Sequence, residues 1–437
     1  MILSVYRGLS YAAAPILRRF LERRIQRGKE DPNRFGERFG RPSKKRPAGA
    51  VIWLHAASVG EAISILSLIN RLDRDYPSHA VLVTTGTVTS AAIMAERLPT
   101  QVIHQFIPVD QPVWIQQFLD HWKPDIALWV ESEFWPNLLT AIKARQIPLI
   151  LINARVSPDS FRGWQRVPRT IAHLLSCFSL CLAQSTQDAE KLAALGAKNV
   201  HTPGNLKFAA DPLPVDDKAL SALWNEISTR PVWIAASTHE GEEEAVAAAH
   251  RIVADNHPDL LTIIIPRHPA RGPEIAGSLA NQGLTVARRS ESASLLPETE
   301  IYIADTVGEL GLFYRLAPIA FIGGTLVPHG GQNMLEAAKL ECAIIHGPSM
   351  TNFAAITSEF SAAGGSTVIQ SETELADAVL SLLSDDTSRT DQIAAAHNIA
   401  EAKTGILDAV LAQLGPYLIA LATPASSRPK AKQNAGA

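Results

Sequence analysis

The chain has 437 residues, of which 46% are hydrophobic and 19% charged, and its formal net charge is −3. This length exceeds one ordinary domain, and the composition excludes an intrinsically disordered chain. The charge is uneven, because residues 1–46 carry thirteen Lys or Arg against four Asp or Glu, a local net charge of +9. No pattern of aromatic and basic residues typical of nucleic-acid binding accompanies this block, so we expect no nucleic-acid partner.

An apolar stretch, Met1–Leu17, precedes most of these basic residues. A secretory signal has its charges first and a small-residue cleavage site, which this segment does not clearly have. Apolar residues followed by Arg and Lys are typical of a segment that lies in, or just crosses, an anionic membrane surface and keeps the protein body in the cytoplasm. The alternative is an ordinary amphipathic helix with a solvated basic face. We assign residues 1–46 as a membrane-associating segment.

The sequence VIWLHAASVGE, from Val51 to Glu61, follows this basic region. Val51–His55 is typical of a buried parallel strand, and the apolar spacing from Glu61 to Leu72 predicts a helix. Ser58 and Glu61 have the spacing of a capping box, in which Ser58 accepts from the Glu61 N–H and Glu61 reaches back to the Ser58 N–H. The same carboxylate follows a strand of an open α/β sheet, where such sheets bind ligands, so Glu61 is also a candidate general base.

Short apolar strands alternate with helical patterns along the rest of the chain, which predicts an α/β fold with parallel sheets. The proline-rich and acidic loop after residue 208 interrupts this alternation. We therefore predict one Rossmann-like domain over 47–208, a second over 209–423, a disordered tail over 424–437, and a cleft between the domains. The predicted strands are Val51–His55, Ala80–Thr84, Val102–Ile107, Ile126–Val130, Leu149–Asn153, Ser179–Ala183, Val232–Ala236, Leu261–Ile265, Thr285–Ala287, Ile301–Ala304, Ile319–Ile322, Ala343–His346 and Ser366–Ile369.

Two further segments of the first half carry candidate site residues. Glu131 opens the sequence ESEFWPN directly after the predicted strand Ile126–Val130, and Lys207 lies in GNLKF just before the domain boundary. Each of them alone is more typical of a helix cap or of a salt-bridge partner. The three cysteines, Cys177, Cys181 and Cys342, are accompanied by no second ligand pair, which favours free buried thiols over a zinc site.

The second half contains a glycine-rich segment, FIGGTLVPHGGQNMLEAA, from Phe321 to Ala338. A strand, a loop with two glycine pairs and a helix N-terminus favour a phosphate site, because backbone N–H groups and the helix dipole both attract anions. Glu336 lies where it could accept from ribose hydroxyls. Pro266–Pro269, which contains Arg267 and His268, and Asp305–Leu310 also follow strands. In the latter, Asp305 or Thr306 is equally consistent with a helix cap.

Taken together, these segments resemble the 3-deoxy-D-manno-octulosonic acid (Kdo) transferases. The resemblance runs from Arg34 to about residue 410 and rests on motifs in this order: RFGERFG, HAASVGE, ESEFWPN, GNLKF, PRHP, DTVGEL and FIGGTLVPHGGQNMLEAA. It implies the two-domain GT-B glycosyltransferase fold and transfer of Kdo from CMP-Kdo to a lipid A precursor (lipid IVA), in lipopolysaccharide assembly. It also implies a location at the cytoplasmic face of the inner membrane of a Gram-negative bacterium.

The resemblance assigns roles to individual positions. Glu61 would activate the acceptor hydroxyl, and Glu131 and Lys207 would support the transition state. The positions implied to contact CMP are Arg267, His268, Gly308, Glu309, Leu310, Asn333, Met334, Leu335 and Glu336. The family uses no metal and no further cofactor, and no convincing Asp-x-Asp motif occurs in this chain. At Gln332 and Met334 the family more often has His and Pro, so a role that depends on an imidazole at 332 is in doubt.

Two other functions remain compatible with the residues. One is a different GT-B enzyme that transfers or epimerises another nucleotide sugar, which a preference for UDP over CMP would identify. The other is a membrane-associated protein that binds a nucleotide sugar without turnover, in which case the carboxylates of the first half would have no task.

Overall fold

The computed structural model describes residues 2–209, 212–291 and 295–422, and these form two compact units. The first unit contains the described residues up to Ala209 together with those from Thr404 onward, and the second runs from residue 212 to Lys403. The predicted tail, residues 424–437, lies outside the described ranges.

The first unit is built on seven parallel strands. These are β1 (Val51–Ala56), β2 (Ala80–Thr85), β3 (Ile103–Phe106), β4 (Ile126–Val130), β5 (Leu149–Ala154), β6 (Leu180–Ala183) and β7 (Val200–His201). Their order across the sheet is β3-β2-β1-β4-β5-β6-β7, which is the doubly wound order of a Rossmann fold. The sequence prediction had omitted β7, which has only two residues and is too short to give an apolar pattern.

Helices cover this sheet, and the central strands are almost entirely buried, as expected for parallel strands with both faces covered. The helices are α1 (Ile2–Ala12), α2 (Ala14–Gln26), α3 (Val59–Ser64), α4 (Leu66–Asp75), α5 (Val88–Arg97), α6 (Pro112–Trp122), α7 (Pro136–Ala144), α8 (Pro158–Gln165), α9 (Pro168–Leu175) and α10 (Thr186–Ala194). A 3-10 helix covers Pro32–Phe39, and another covers Leu206–Phe208.

The second unit repeats this architecture with another seven parallel strands. They are β8 (Val232–Thr238), β9 (Leu261–Pro266), β10 (Val286–Arg288), β11 (Ile301–Ile303), β12 (Ile319–Ile322), β13 (Ala343–His346) and β14 (Thr367–Val368), in the order β10-β11-β9-β8-β12-β13-β14. The helices are α11 (Asp217–Ile227), α12 (Glu242–Ala254), α13 (Gly272–Asn281), α14 (Leu310–Leu316), α15 (Met334–Ala338), α16 (Ala354–Ala362), α17 (Glu372–Ser384) and α18 (Asp386–Ala422).

Two features differ from the sequence prediction. The predicted helix from Glu61 to Leu72 is two helices, α3 and α4, that meet at Ile65, which has a non-helical φ of −104°. The second difference concerns the last helix, α18. The sequence prediction assigned all residues up to 423 to the second domain. From Thr404 onward this helix instead packs its apolar residues into the core of the first unit, which its local sequence pattern does not reveal.

The N-terminal helices are docked on the first unit. Tyr6 donates a hydrogen bond to the Asp110 carboxylate (O···O 3.0 Å), and burial and Asp110 together raise the pKa of Tyr6 to about 12. The buried Glu30 carboxylate pairs with Arg24 (2.8 Å) and with the buried Arg38 (3.3 Å). Part of the basic block therefore has a structural role. These ion pairs join α2 to the 3-10 helix that follows it, and Arg38 also donates to the carbonyl oxygen of Ile107 after β3 (2.6 Å).

Glu242, the first residue of α12, organises the glycine-rich loop that follows β12. Its carboxylate is fully buried and accepts hydrogen bonds from the backbone N–H groups of Gly324 (2.6 Å), Thr325 (2.9 Å) and Leu326 (3.0 Å). It also accepts from the N–H of His239 (2.9 Å). One charged side chain thus fixes the ends of two neighbouring strands, and this arrangement determines the conformation of the loop.

We expect Glu242→Ala to lower the free energy of unfolding of the second unit by at least about 3 kcal/mol, because each backbone donor left without an acceptor costs ~1–3 kcal/mol. Urea denaturation followed by circular dichroism measures this loss. The matched control is Glu244→Ala, an exposed carboxylate on the same helix, which should change the stability by less than about 0.5 kcal/mol. Equal losses in the two variants would contradict this role of Glu242.

Candidate active site

The first candidate, Glu61, lies at the junction between β1 and α3. Ser58 caps α3, since its Oγ accepts from the Glu61 N–H (3.3 Å) and donates to Glu61 Oε1 (3.1 Å). Glu61 Oε2 accepts from the N–H of Ala57 (2.7 Å). The predicted bond to the Ser58 N–H is therefore replaced by one that reaches a residue further back. The capping interaction holds the carboxylate in one place at the carboxyl edge of the sheet.

The pKa of Glu61 is raised above its ordinary value. Burial is the main cause, and the negative charges of Glu131 and Glu133 add to it. The hydrogen bonds from Ala57 and Ser58 act in the opposite direction because they stabilise the ionised form. Glu61 is 7% exposed, so little water competes for the carboxylate. These properties suit a proton acceptor that works near neutral pH.

Glu131 and Lys207 form an ion pair in the same unit. Lys207 Nζ lies 3.1 Å from Glu131 Oε1, although 76 residues separate them in the chain. Glu131 has a φ of +57°, a left-handed conformation that costs a non-glycine residue free energy and that is frequent at functional sites. The buried Asn153 also has a positive φ (+51°) and accepts from the Leu206 N–H (2.9 Å), which fixes the short helix that carries Lys207.

The structure thus brings together Glu61, Glu131 and Lys207, the three candidates of the first half. Glu61 follows β1 and Glu131 follows β4, and these adjacent strands are the point at which the strand order reverses. Ligands of doubly wound sheets bind at this switch point. Not every residue of ESEFWPN belongs to the candidate site. The buried Asn137 hydrogen-bonds Asp110 through its side chain and its backbone, which is a structural role.

In the second unit, the glycine-rich loop ends at α15 as predicted, and Asn333 is its N-cap. The Asn333 side chain accepts from the Leu335 N–H (3.3 Å) and donates to Glu336 Oε1 (3.3 Å). Gly330 and Gly331 have φ of +85° and +82°, and a Cβ at either would collide with neighbouring side chains. Met334 and Leu335, which had been predicted to contact CMP, are both buried.

The DTVGEL segment lies at the carboxyl end of β11. The structure does not support the predicted helix cap, because α14 begins after Glu309 without any side-chain cap. Asp305 instead accepts from the Ser290 N–H (2.9 Å) and pairs with Arg288 (3.1 Å). Arg289 pairs with Glu309 (2.6 Å), and its hydrogen bonds lower the pKa of Glu309. The Glu309 carboxylate is therefore engaged by Arg289. Glu309 had been predicted to contact CMP together with Gly308 and Leu310.

Arg267 and His268 follow β9, and both are exposed. The His268 ring lies edge-on to the ring of His239, with a centroid distance of 6.1 Å, and His239 stacks on His329 at 4.1 Å. The sequence interpretation had passed over His239 and His329. His239 follows β8, the first strand of the second unit, at the point where the strand order reverses. Because ligands of doubly wound sheets bind at this point, the position of His239 in the sequence could have identified it as a candidate.

Within residues 2–209, 212–291 and 295–422, no group of three or more His, Cys, Asp or Glu is arranged to hold a metal ion. The absence of a metal requirement stays a prediction. The three cysteines are free and buried, as expected. Burial raises the pKa of Cys181 to about 12, which keeps this thiol protonated and unsuited to ligate a metal.

Comparison with known proteins identifies the family. The family model described as 3-deoxy-D-manno-octulosonic-acid transferase (kdotransferase) matches residues 33–210. A probable mitochondrial 3-deoxy-D-manno-octulosonic acid transferase of Arabidopsis thaliana is 39% identical over 87% of this chain and 88% of its own length. The 3-deoxy-D-manno-octulosonic acid transferase of Haemophilus influenzae is 34% identical over 88% of this chain and 91% of its own.

The fold comparison agrees with the two Rossmann-like units. A solved UDP-N-acetylglucosamine 2-epimerase superposes with a TM-score of 0.56 over 85% of this chain and 97% of its own, at 15% identity. At that identity the likeness concerns the fold alone. The two parallel sheets have the architecture of GT-B glycosyltransferases. Because the similarity to the named transferases extends over most of both chains, this protein belongs to the Kdo transferase family of glycosyltransferases.

Proposed function

We propose that this protein transfers Kdo from CMP-Kdo to a lipid A precursor, with inversion at the anomeric carbon, in lipopolysaccharide core assembly. The observation that carries the proposal is Glu61, a carboxylate held by Ala57 and Ser58 at the carboxyl edge of β1 with a raised pKa. An acceptor hydroxyl is a poor nucleophile until a base removes its proton. Glu61 would perform that step, and its raised pKa supports this role.

The chemistry requires one displacement. The acceptor oxygen forms a bond to the anomeric carbon while the bond from that carbon to the CMP phosphate oxygen breaks, and Glu61 receives the hydroxyl proton. CMP is a good leaving group and needs no general acid. Lys207, held 3.1 Å from Glu131, would offer positive charge to the transition state, and Glu131 would keep that charge in position.

The donor would bind in the second unit through the groups that follow β9, β11 and β12. Arg267 and His268 can contact the phosphate, and Asn333 and Glu336 can hydrogen-bond the ribose. Gly308, Glu309 and Leu310 would contact the nucleotide from the segment after β11. Backbone N–H groups of the glycine-rich loop would add charge stabilisation without a metal.

A groove in the first unit supports a lipid acceptor. It has a volume of about 430 Å³ and lies between α2 and the ends of β1 and β2. Its lining joins apolar residues of α2, including Phe20 and Leu21, to Ala57 and Ser58, which hold Glu61. Arg24 lines the same groove and could meet a phosphate of the acceptor. The groove would lead the sugar head of a lipid from the surface of α2 to the base.

The N-terminal helices favour attachment to the cytoplasmic face of the inner membrane. Large apolar side chains are exposed on both helices, among them Leu9 (65%), Ile16 (73%) and Phe20 (56%). Exposed arginines, including Arg19 and Arg23, accompany them and would attract anionic lipid headgroups. With 11 and 13 residues, α1 and α2 are each shorter than the ~20 residues needed to span a bilayer. We therefore propose that they lie on the membrane.

One other helix, α18, has the length and composition of a membrane-spanning helix. Among the described residues, only Asp386–Leu421 within α18 is long and apolar enough to cross a membrane. Several of its residues, including Leu414 and Leu418, are buried in the core of the first unit. Core helices of soluble proteins pass the same test, so this helix adds little to the membrane assignment.

Purified protein should convert CMP-Kdo and a tetraacylated lipid A precursor to CMP and a Kdo-bearing lipid, detected by mass spectrometry. UDP-N-acetylglucosamine in place of CMP-Kdo is the control donor, since the fold is shared with an enzyme of that sugar. Thermal shifts should likewise be larger with CMP than with UDP. Turnover of the UDP-sugar, or CMP binding without any acceptor-dependent release, would refute the proposal.

We expect Glu61→Gln to lower kcat by a factor of ~10²–10⁴, the usual contribution of a general base, while the protein stays folded. In the wild type, the raised pKa of Glu61 should place the acid limb of the kcat profile above the pH at which an ordinary Glu titrates. The base works only when ionised, so activity falls as pH drops through that pKa. Glu190→Gln, an exposed carboxylate on α10, is the control. A wild-type rate in Glu61→Gln would exclude Glu61 as the base.

We expect the double variant Leu9→Glu/Phe20→Glu to bind poorly to vesicles that contain anionic lipid, because it places charges on the apolar surface of α1 and α2. Flotation assays compare the variant with wild type and with Trp224→Glu, which changes an exposed apolar residue of the second unit. Raising the salt concentration should weaken wild-type binding, since basic residues contribute. Unchanged flotation of the double variant would show that another surface binds the membrane.

A further inference from the structure

Three imidazoles gather at the carboxyl edge of the second sheet. His239 follows β8, His268 follows β9, and His329 lies in the loop after β12. The rings of His239 and His329 stack with a centroid distance of 4.1 Å and an interplanar angle of 19°, and His268 approaches His239 edge-on at 6.1 Å. Gly324 makes room for the stack, because a Cβ there would lie 3.2 Å from the ring of His239.

The surroundings of this cluster are adapted to an anion. Arg267 adds a permanent positive charge, and Gln332 Nε2 lies 3.4 Å from His239 Nε2. Glu242 is the carboxylate that acts on His239, but its oxygens already accept from four backbone N–H groups. The cluster therefore contains several groups that can become cationic, while its neighbouring acid is occupied elsewhere.

The surroundings of His239 favour its neutral ring. Burial lowers the pKa of His239, and the neighbouring His329, His268 and Arg267 lower it further, whereas Glu242 raises it. Two stacked rings 4.1 Å apart also resist simultaneous protonation, because like charges repel at this distance. A bound phosphate reverses the balance, since its negative charge favours the protonated imidazole.

We propose that the His239–His329 stack takes up a proton from solvent when the phosphate of the donor nucleotide binds. The inference rests on the proposed function, in which CMP is part of the donor. One imidazole nitrogen gains the proton, the imidazolium pairs with the phosphate, and the proton returns to solvent when CMP leaves. The site thus acquires its positive charge together with its ligand. This charge neutralises the phosphate, as a divalent cation does in other nucleotide sites.

The direction of proton movement shows whether the imidazoles or the phosphate of CMP change protonation on binding. The phosphate of CMP is a monoester whose second pKa is about 6. A cationic site favours the dianion, so titration of the phosphate alone would release protons on binding. Net uptake therefore has to come from protein groups, and the phosphate would favour ionisation of any imidazole in the cluster. Variants of the stacked pair that leave His268 in place separate its contribution from that of His268.

Isothermal titration of CMP into the full chain, in two buffers of different ionisation enthalpy, measures the number of protons taken up. Because an imidazole ordinarily titrates near pH 6.5, we expect uptake of about half a proton or more at about pH 7.5. The Kd for CMP should rise up to about tenfold per pH unit above the pKa of the free cluster. In the double variant His239→Asn/His329→Asn, which leaves no imidazole in the stack, the uptake should disappear and the Kd should become nearly independent of pH. The single Asn variants each keep one ring that can still accept the proton.

Two further variants keep the test decisive if the Asn variants bind too weakly. His329→Lys supplies a fixed positive charge and should bind CMP without proton uptake and with a flat pH dependence. His201→Asn changes an exposed histidine of the first unit and should behave as wild type. Thermal melting checks that each variant is folded.

Binding of CMP by wild type without proton uptake would overturn the inference and leave the proposed transfer reaction intact. Uptake that persists in the double Asn variant and in His329→Lys would overturn it as well, because other groups would then supply the charge. If wild type fails to bind CMP, the donor assignment fails, and the inference fails with it. Transfer of Kdo in the lipid assay is measured separately, so the two proposals are tested by different observations.

Discussion

The structure of both units depends on a carboxylate that holds backbone N–H groups where the first strand of a parallel sheet meets its helix. In the first unit, Glu61 has this position, three residues after Ser58. In the second unit, Glu242 has it, three residues after His239. Parallel strands end at one edge with their last N–H groups unsatisfied by the sheet, and an ionised oxygen stabilises such donors more strongly than a neutral one does. The junction between β1 and α3 and the glycine-rich loop after β12 are built on these two side chains.

The two carboxylates differ in the number of backbone hydrogen bonds that they accept. Glu242 accepts four backbone hydrogen bonds and reaches from its own strand to the loop after β12. Glu61 accepts from a single backbone N–H and from Ser58, and it lies close enough to Glu131 and Glu133 for their charges to raise its pKa. A fully satisfied carboxylate is a structural anchor. One that keeps a free lone pair and resists ionisation is suited to accept a proton.

The sequence predicted thirteen of the fourteen strands found in the described part of the chain, within about two residues at each end, because buried parallel strands are short apolar runs with sharp ends. It also selected Glu61, Glu131 and Lys207, which the fold brings together. Features set by tertiary contacts were not accessible in this way. The pairing of Asp305 with Arg288 and the return of α18 to the first unit both depend on residues distant in the chain. His239 and His329 were missed because 90 residues separate two rings that meet only after folding.

The ion pair of Lys207 with Glu131 also bears on the basicity of Glu61. The negative charge of Glu131 raises the pKa of Glu61, and Lys207 lies 3.1 Å from the same carboxylate and offsets part of that charge. The ion pair thus places a positive charge beside one of the two carboxylates that raise the pKa of Glu61. A positive charge in this position opposes the effect of Glu131 and favours the ionised form of a neighbouring carboxylate. The positive φ of Glu131 is the conformational cost of holding its carboxylate beside Lys207 at the edge of the sheet.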